Sequence, residues 1–295
     1  MSNIVNLKGI LKHAAENRYA VGSFSARYTK LIKPIVQAAI NTHSPVIVQL
    51  SEKEVNRHKV GVKEFAEEFY RVVDELNPQI PIALHLDHTK TLSVIEEAMD
   101  AGFTSVMIDA SEMEFDDNVA VTQKVVAMAH PRNITVEAEL GKIGTTDFVE
   151  TDTDEELYTD PQEAKKFCEL TGVDCLAVSV GTAHGVYTVR QPKVDYARLE
   201  AINALTDTPL VLHGGSGVPS EMVVRAAQLP QGGVSKVNIA TDLELAMLAV
   251  MGREGHMTEA ELNACSPEMI EKSREAVREL VELKITEYLL SRDKA

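Results

Sequence analysis

The chain has 295 residues, 44% of them hydrophobic and 25% charged, and a formal charge of −16 from 29 Lys and Arg against 45 Asp and Glu. That mix excludes a disordered chain, and the acidic excess argues against nucleic acid or an anionic membrane as partner, since both would repel it. The three cysteines, Cys168, Cys175 and Cys265, form no metal-binding pattern and fit a reduced, cytoplasmic protein in which Cys168 and Cys175 are small core residues. The first residues lack a long apolar run and a cleavage site, so no signal peptide is read. No stretch reaches the roughly 20 apolar residues that span a bilayer.

In chain order, short apolar runs alternate with longer segments of helical periodicity. The strand-like runs are 20–24, 45–50, 81–86, 104–108, 134–140, 174–180, 209–212 and 234–239. Most do not alternate polar with apolar, as expected of parallel strands buried on both faces. Helical patterns lie between them, for example over 30–41, 62–76, 92–101, 117–129 and 219–228. Asp160 followed by Pro161 marks another helix start. Eight such units predict an α/β fold, a (β/α)₈ TIM barrel; the doubly wound open sheet lacks its glycine fingerprint after the first strand. The whole chain, 1–295, reads as a single barrel domain with extra C-terminal helices over about 243–295. There, 266–290 predicts a long helix whose stripe of Ile270, Val277, Val281, Ile285 and Leu289 packs on the barrel or on another subunit. The acidic segment 147–156, with six acids in ten residues, reads either as a solvated loop or as a mobile active-site loop.

Barrel chemistry sits at the C-terminal ends of the strands, and these ends are rich in functional groups. Strand three ends in His85-Leu86-Asp87-His88, strand four in Asp109, and strand five in Glu137-Ala138-Glu139. Strand six leads into His184, strand seven into His213, and strand eight into Asn238 to Asp242. Carboxylates converging on one mouth need a cation or shared protons. Histidines from three strands with one open position match a catalytic zinc site, so His88, His184 and His213 are the candidate ligands. His85, of opposite parity to His88, is assigned to packing or support. His13, His43, His58, His130 and His256 are assigned to the surface. The glycine- and hydroxyl-rich loops Gly214-Gly215-Ser216-Gly217 and Asn238 to Thr241 follow strands seven and eight, where barrels commonly bind phosphate through backbone N–H groups.

HLDH at 85–88, VEAELG at 136–141, YTDPQEA at 158–164, GTAHGVY at 181–187, LHGGSG at 212–217 and VSKVNIATDL at 234–243 resemble the class II, metal-dependent ketose-phosphate aldolases that act on fructose and tagatose bisphosphates. The resemblance runs from about Ala20 to Leu243. It implies a homodimer or homotetramer that cleaves a ketose 1-phosphate or ketose 1,6-bisphosphate to dihydroxyacetone phosphate and an aldehyde, through an enediolate held at one Zn²⁺ per chain. His88, His184 and His213 then match the zinc ligands, Asp109 and Glu139 the residues of an alternate metal position, and Asp87 the acid/base at the C4 hydroxyl. Ser51, Gly185, Gly214, Gly215, Ser216, Asn238, Ala240 and Thr241 match substrate contacts. A Na⁺ or K⁺ near the phosphate is common in the family.

The sequence also departs from that pattern. The loop glutamate that returns a proton in the family is replaced around Gly144-Thr145-Thr146-Asp147, leaving Asp147, with Glu150 as the alternative. The lysine after H-G-x-Y is Thr188, leaving Arg190 or Lys193 for the shared phosphate. The arginine before the last helix is missing from Cys265-Ser266-Pro267-Glu268-Met269, and Arg27, Lys53, Arg57 and His58 are the basic residues placed to compensate. Ala240 resembles the tagatose-type subgroup. Three other readings compete: a metal-dependent barrel hydrolase, a Schiff-base aldolase through Lys236, and a non-catalytic barrel that partners an active aldolase.

Overall fold

The computed structural model describes residues 3–143, 157–185, 187 and 191–295. Eight parallel strands close into a barrel in sequence order: β1 (Val21–Ser25), β2 (Val46–Ser51), β3 (Ile82–Thr89), β4 (Ser105–Ile108), β5 (Thr135–Leu140), β6 (Cys175–Val178), β7 (Leu210–Leu212) and β8 (Val234–Ile239). Every strand residue except His88 is buried. One face of each strand meets the surrounding helices and the other fills the barrel, which is why the strands read as unbroken apolar runs.

The helices are α1 (Leu7–Asn17), α2 (Ile32–Asn41), α3 (Glu52–His58), α4 (Val62–Leu76), α5 (Leu92–Ala101), α6 (Phe115–Ala129), α7 (Pro161–Thr171), α8 (Tyr196–Asn203), α9 (Ser220–Ala227), α10 (Thr241–Met251), α11 (Glu259–Asn263) and α12 (Pro267–Leu283). Their starts follow local chemistry. Asp160 accepts the N–H groups of Gln162 and Glu163 ahead of Pro161 in α7, and Ser51 and Glu54 form a reciprocal capping box on α3. Among the described residues no helix is long and apolar enough to cross a membrane.

The barrel interior is graded. Val21, Ile47, Ala83, Met107, Cys175, Ala177 and Val211 make an apolar floor, and α1 lays Leu7, Ile10, Leu11 and Ala14 across it. Two residues further along their strands, the inward positions are Ser23, Gln49, His85 and Glu137, all buried and polar. The predicted C-terminal stripe faces the barrel: α12 packs on α2 and α10, with Val277 and Val281 buried. The last turn, Lys284–Tyr288, widens into a π-helical turn and inserts Tyr288, whose hydroxyl donates to the Gly215 carbonyl.

Candidate active site

Successive strand residues point to opposite faces, so parity places His85 and Asp87 inside the barrel and would turn His88 outward with Leu86. The chain avoids this with a bulge. The β3–β4 register shifts between Leu86 and Thr89, and His88 takes a left-handed φ of 37°. Both Asp87 and His88 therefore line the mouth. Left-handed backbone is costly for a residue with a β-carbon, and here it delivers two adjacent functional groups to one place.

His88, His184 and His213 come together, with ring centroids 4.7 Å apart for His88–His184 and 4.4 Å for His88–His213. Their ligand atoms lie within 4.8 Å of one another, and so do those of His88, Asp109 and Glu139. The Nε2 atoms of His88 and His184 face each other at 3.1 Å. His88 Nδ1 meets Asp109 Oδ2 at 3.0 Å. His213 Nδ1 and Glu139 Oε2 stand 3.2 Å apart, yet both are buried atoms without a hydrogen bond. Buried polar atoms are rarely left in this state. Three imidazole nitrogens and a carboxylate oxygen converging on one spot fit a divalent metal, whose soft and hard ligand preferences imidazole and carboxylate both satisfy.

The electrostatics agree. Burial opposes a charge on His88, but Asp87, Asp109 and Glu139 outweigh it and push its pKa up to about 10: this position demands positive charge. Burial and the neighbouring His88 and His213 hold His184 well below the usual histidine value, so it offers a neutral lone pair. Asp87 is buried, which alone would raise its pKa, but His88, His85 and Lys236 hold it well below the usual range. Its Oδ2 accepts from the Gln49 amide at 3.0 Å and its Oδ1 from the Asn238 amide at 2.9 Å. Asp87 is thus an ionised carboxylate gripped from both sides beside the metal position.

One tier below lies a charged group that the sequence reading passed over. Glu137 Oε1 accepts from His213 Nε2 at 2.9 Å, and its Oε2 accepts from Lys236 Nζ at 2.8 Å. Both side chains of this ion pair are fully buried. With Nε2 of His213 donating to Glu137, Nδ1 is the nitrogen left with a lone pair that could ligate a metal. His85, bonded to Ser105 through Nδ1 and 3.5 Å from Glu137, completes this supporting layer. Lys236 is therefore a structural partner of Glu137: its amine is fully buried and held in an ion pair, the opposite of the unpaired amine a Schiff base needs. The clue in the sequence was the shared parity of Glu137 with Glu139. For Gln49 it was one amide in an otherwise apolar run.

The opposite wall holds the glycine loops. Gly185, Gly214, Ser216, Asn238, Ala240 and Thr241 line a cavity of about 830 Å³, together with Ser51, Asp87, His88, Asp109, Glu139 and His184. Gly214 has φ +65°, and a β-carbon there would stand 2.4 Å from the Ala183 carbonyl oxygen, so only glycine lets the loop pass this close. Ser216 Oγ accepts from the N–H of Ala240 and of Asp242, tying the loop after β7 to the N-terminus of α10, an arrangement suited to an anion. Gly215 lies off the cavity wall, paired through N–H to Asn238 and through its carbonyl to Tyr288. Ser51 lines the cavity while capping α3.

One histidine assigned to the surface is placed otherwise: His58 is fully buried, with its Nδ1 donating to the Met257 carbonyl. His256 is exposed, as assigned, and also lines the cavity. Of the compensating basic residues, Arg27 is committed to Glu54 and Glu244, whereas Lys53 and Arg57 line the cavity. Asp147, Glu150, Thr188 and Arg190 lie outside the described residues.

The chain matches the family described as fructose-bisphosphate aldolase class-II over residues 5–294. It is 41% identical over 246 residues to a fructose-bisphosphate aldolase of Geobacillus stearothermophilus, covering 83% of each chain. It is 38% identical over 293 residues to a fructose-bisphosphate aldolase of Staphylococcus epidermidis, covering 97% of each. Its fold is similar to the crystal structure of the YdjI aldolase of Escherichia coli, with a TM-score of 0.84 and 28% identity over 99% of both chains. With three histidines, an ionised aspartate and a glycine-lined wall sharing one barrel mouth, the chain belongs to the class II fructose-bisphosphate aldolase family, the metal-dependent carbon–carbon lyases.

Proposed function

We propose that the chain cleaves a ketose 1-phosphate or ketose 1,6-bisphosphate of the tagatose or fructose type to dihydroxyacetone phosphate and an aldehyde, with Zn²⁺ held by His88, His184 and His213. The observation that carries this reading is Asp87, ionised between two amide donors and next to three convergent imidazoles. When bound, the divalent ion supplies Lewis acidity that polarises the substrate carbonyl.

The chain's own residues supply the rest. Asp87 takes the proton of the C4 hydroxyl as the C3–C4 bond breaks, which makes the aldehyde and leaves a three-carbon enediolate. A proton returned to C3, for which Asp147 or Glu150 is the candidate donor, completes dihydroxyacetone phosphate. Gln49 and Asn238 keep Asp87 aimed and charged. Asp109 and Glu139 provide a second set of ligand atoms around His88. Gly185, Gly214, Ser216, Ala240 and Thr241 receive the C1 phosphate with N–H and hydroxyl groups, which bind an anion without adding formal charge to an acidic protein. The family resemblance of the chain carries with it assembly as a homodimer or homotetramer, which belongs to the same proposal.

The test is release of dihydroxyacetone phosphate from a panel of ketose 1-phosphates and 1,6-bisphosphates before and after chelation. Activity should vanish with EDTA and return with Zn²⁺. Full activity at metal contents far below one per chain would refute the reading.

A further inference from the structure

The cavity wall across from the glycine loops is formed by α3 and by the connection from α10 to α11. Its carboxylates are already engaged. Glu54 accepts from Arg27 and Ser25, Glu244 from Arg27, Tyr28 and His256, and Glu52 from the backbone N–H of Lys90 and Thr91. Of the cations on the wall, Arg27 is matched by two of these acids and Lys90 by Glu112 at 2.6 Å. Among the described residues, Lys53 and Arg57 have no carboxylate in ion-pair range, although both line the cavity.

Arg57 is also held in place. Its Nη1 donates to His256 Nε2 at 3.2 Å. His256 Nδ1 in turn donates to Glu244 Oε2 at 2.9 Å. His256 bridges the two side chains, one ring nitrogen facing Arg57 and the other Glu244. This chain of contacts ends on a buried glutamate and orders one edge of the guanidinium, leaving its other N–H groups for a ligand. The donor atoms of His58, Glu244 and His256 lie close enough to hold a metal, but Arg27 and Arg57 occupy Glu244 and His256, and two guanidinium charges there disfavour a cation.

We propose that Arg57, positioned by His256 and assisted by Lys53, binds an anionic group, phosphate or carboxylate, at the far end of the sugar phosphate whose C1 phosphate sits at the glycine loops. The proposal rests on the reading of the site given above. A guanidinium fork matches either oxyanion, and Arg57 and Lys53, exposed along the cavity's lining, present charge that no carboxylate among the described residues answers within ion-pair range.

The test compares kcat/KM of the wild-type enzyme and Arg57→Ala on three sugars, each in both C4 epimers: a ketose 1,6-bisphosphate, a ketose 1-phosphate ending in a carboxylate, and a ketose 1-phosphate ending in a hydroxyl. The ratio of charged-end to hydroxyl-end kcat/KM should fall about 10- to 100-fold in Arg57→Ala, through KM, as expected for loss of a charge-assisted hydrogen bond. Arg57→Lys should recover part of the ratio, and the sugar that loses most identifies the anion. An unchanged ratio, or a wild-type enzyme indifferent to the far end, overturns the proposal while leaving the aldolase reading in place. No cleavage of any of the three by the wild-type enzyme overturns both.

Discussion

Replacing Glu137 by glutamine keeps the side chain's volume and removes its charge, which tests whether the ion pair under His213 sets the metal-facing nitrogen. Glu137 now gives one oxygen to His213 Nε2 at 2.9 Å and the other to Lys236 Nζ at 2.8 Å. Glutamine has a single acceptor oxygen, and the buried ammonium claims it. The amide NH₂ then meets the His213 Nε2–H, donor against donor, and the imidazole relieves this by moving its proton to Nδ1, the nitrogen that faces Glu139. A protonated nitrogen cannot ligate. Loss of such a supporting partner lowers metal affinity by about 10- to 100-fold. Weakened pairing of the buried Lys236 costs about 1–3 kcal/mol of stability, and up to about 3–5 kcal/mol if its charge is left wholly unmatched. Zn²⁺ competition against a chromophoric chelator reads the first effect, and urea unfolding of chelator-stripped protein reads the second. The double variant Glu137→Gln/Lys236→Met frees the amide oxygen for His213 and should restore much of the Zn²⁺ affinity. Wild-type affinity in Glu137→Gln, or a double variant as weak as the single, would refute the reasoning.

Asp87→Asn should retain metal, measured per chain by elemental analysis, while losing about 10²- to 10⁴-fold in cleavage, the range for removing a positioned base; near-normal turnover would remove Asp87 from its role. His213→Ala should abolish stoichiometric metal binding, because it removes one of three imidazoles that no nearby water can replace in kind. Tyr19 carries a stability signature at high pH. Burial pushes its pKa up from the ordinary 10 to about 12, so its neutral phenol contributes stability that is complete below pH 10 and is lost as the pH rises through 12. The melting temperature of Tyr19→Phe, relative to wild type, should therefore improve between pH 10 and pH 12, and parallel melting curves across that window would count against it.

How much of this was legible in the sequence depended on whether a regular repeat carried the information. The strands were, because burial on both faces leaves runs such as Val46-Ile47-Val48 that no amphipathic helix would show. His88 was read as a candidate ligand from its place at a strand end, not from parity: parity sets His85 with Asp87 inside and turns His88 outward, and only a bulge with a left-handed residue brings it in, a feature with no periodic signal. Glu137 shares the parity of Glu139, a clue that went unused. His58 was misplaced for a different reason. Its partner, the Met257 carbonyl, lies across a tertiary junction between α3 and the α10–α11 connection, as does the Arg57–His256 contact beside it, and no local pattern announces contacts 199 residues apart. The helix over 266–290 was correct through Leu283, beyond which Tyr288 turns in toward Gly215 and the winding changes.

The floor of the barrel bears on traffic through the site. With α1 laid across Val21, Ile47, Ala83 and Val211 and the barrel interior filled by side chains, the described residues open the cavity at the mouth. A sugar seated as proposed lies with its phosphate at the buried Ser216 and its far end against the exposed Arg57. Were the central bond cut as proposed, the aldehyde half would stand at the exposed end of the cavity and the triose phosphate at the buried one. Release would then run aldehyde first and triose second, and the reverse reaction would load them in the opposite order.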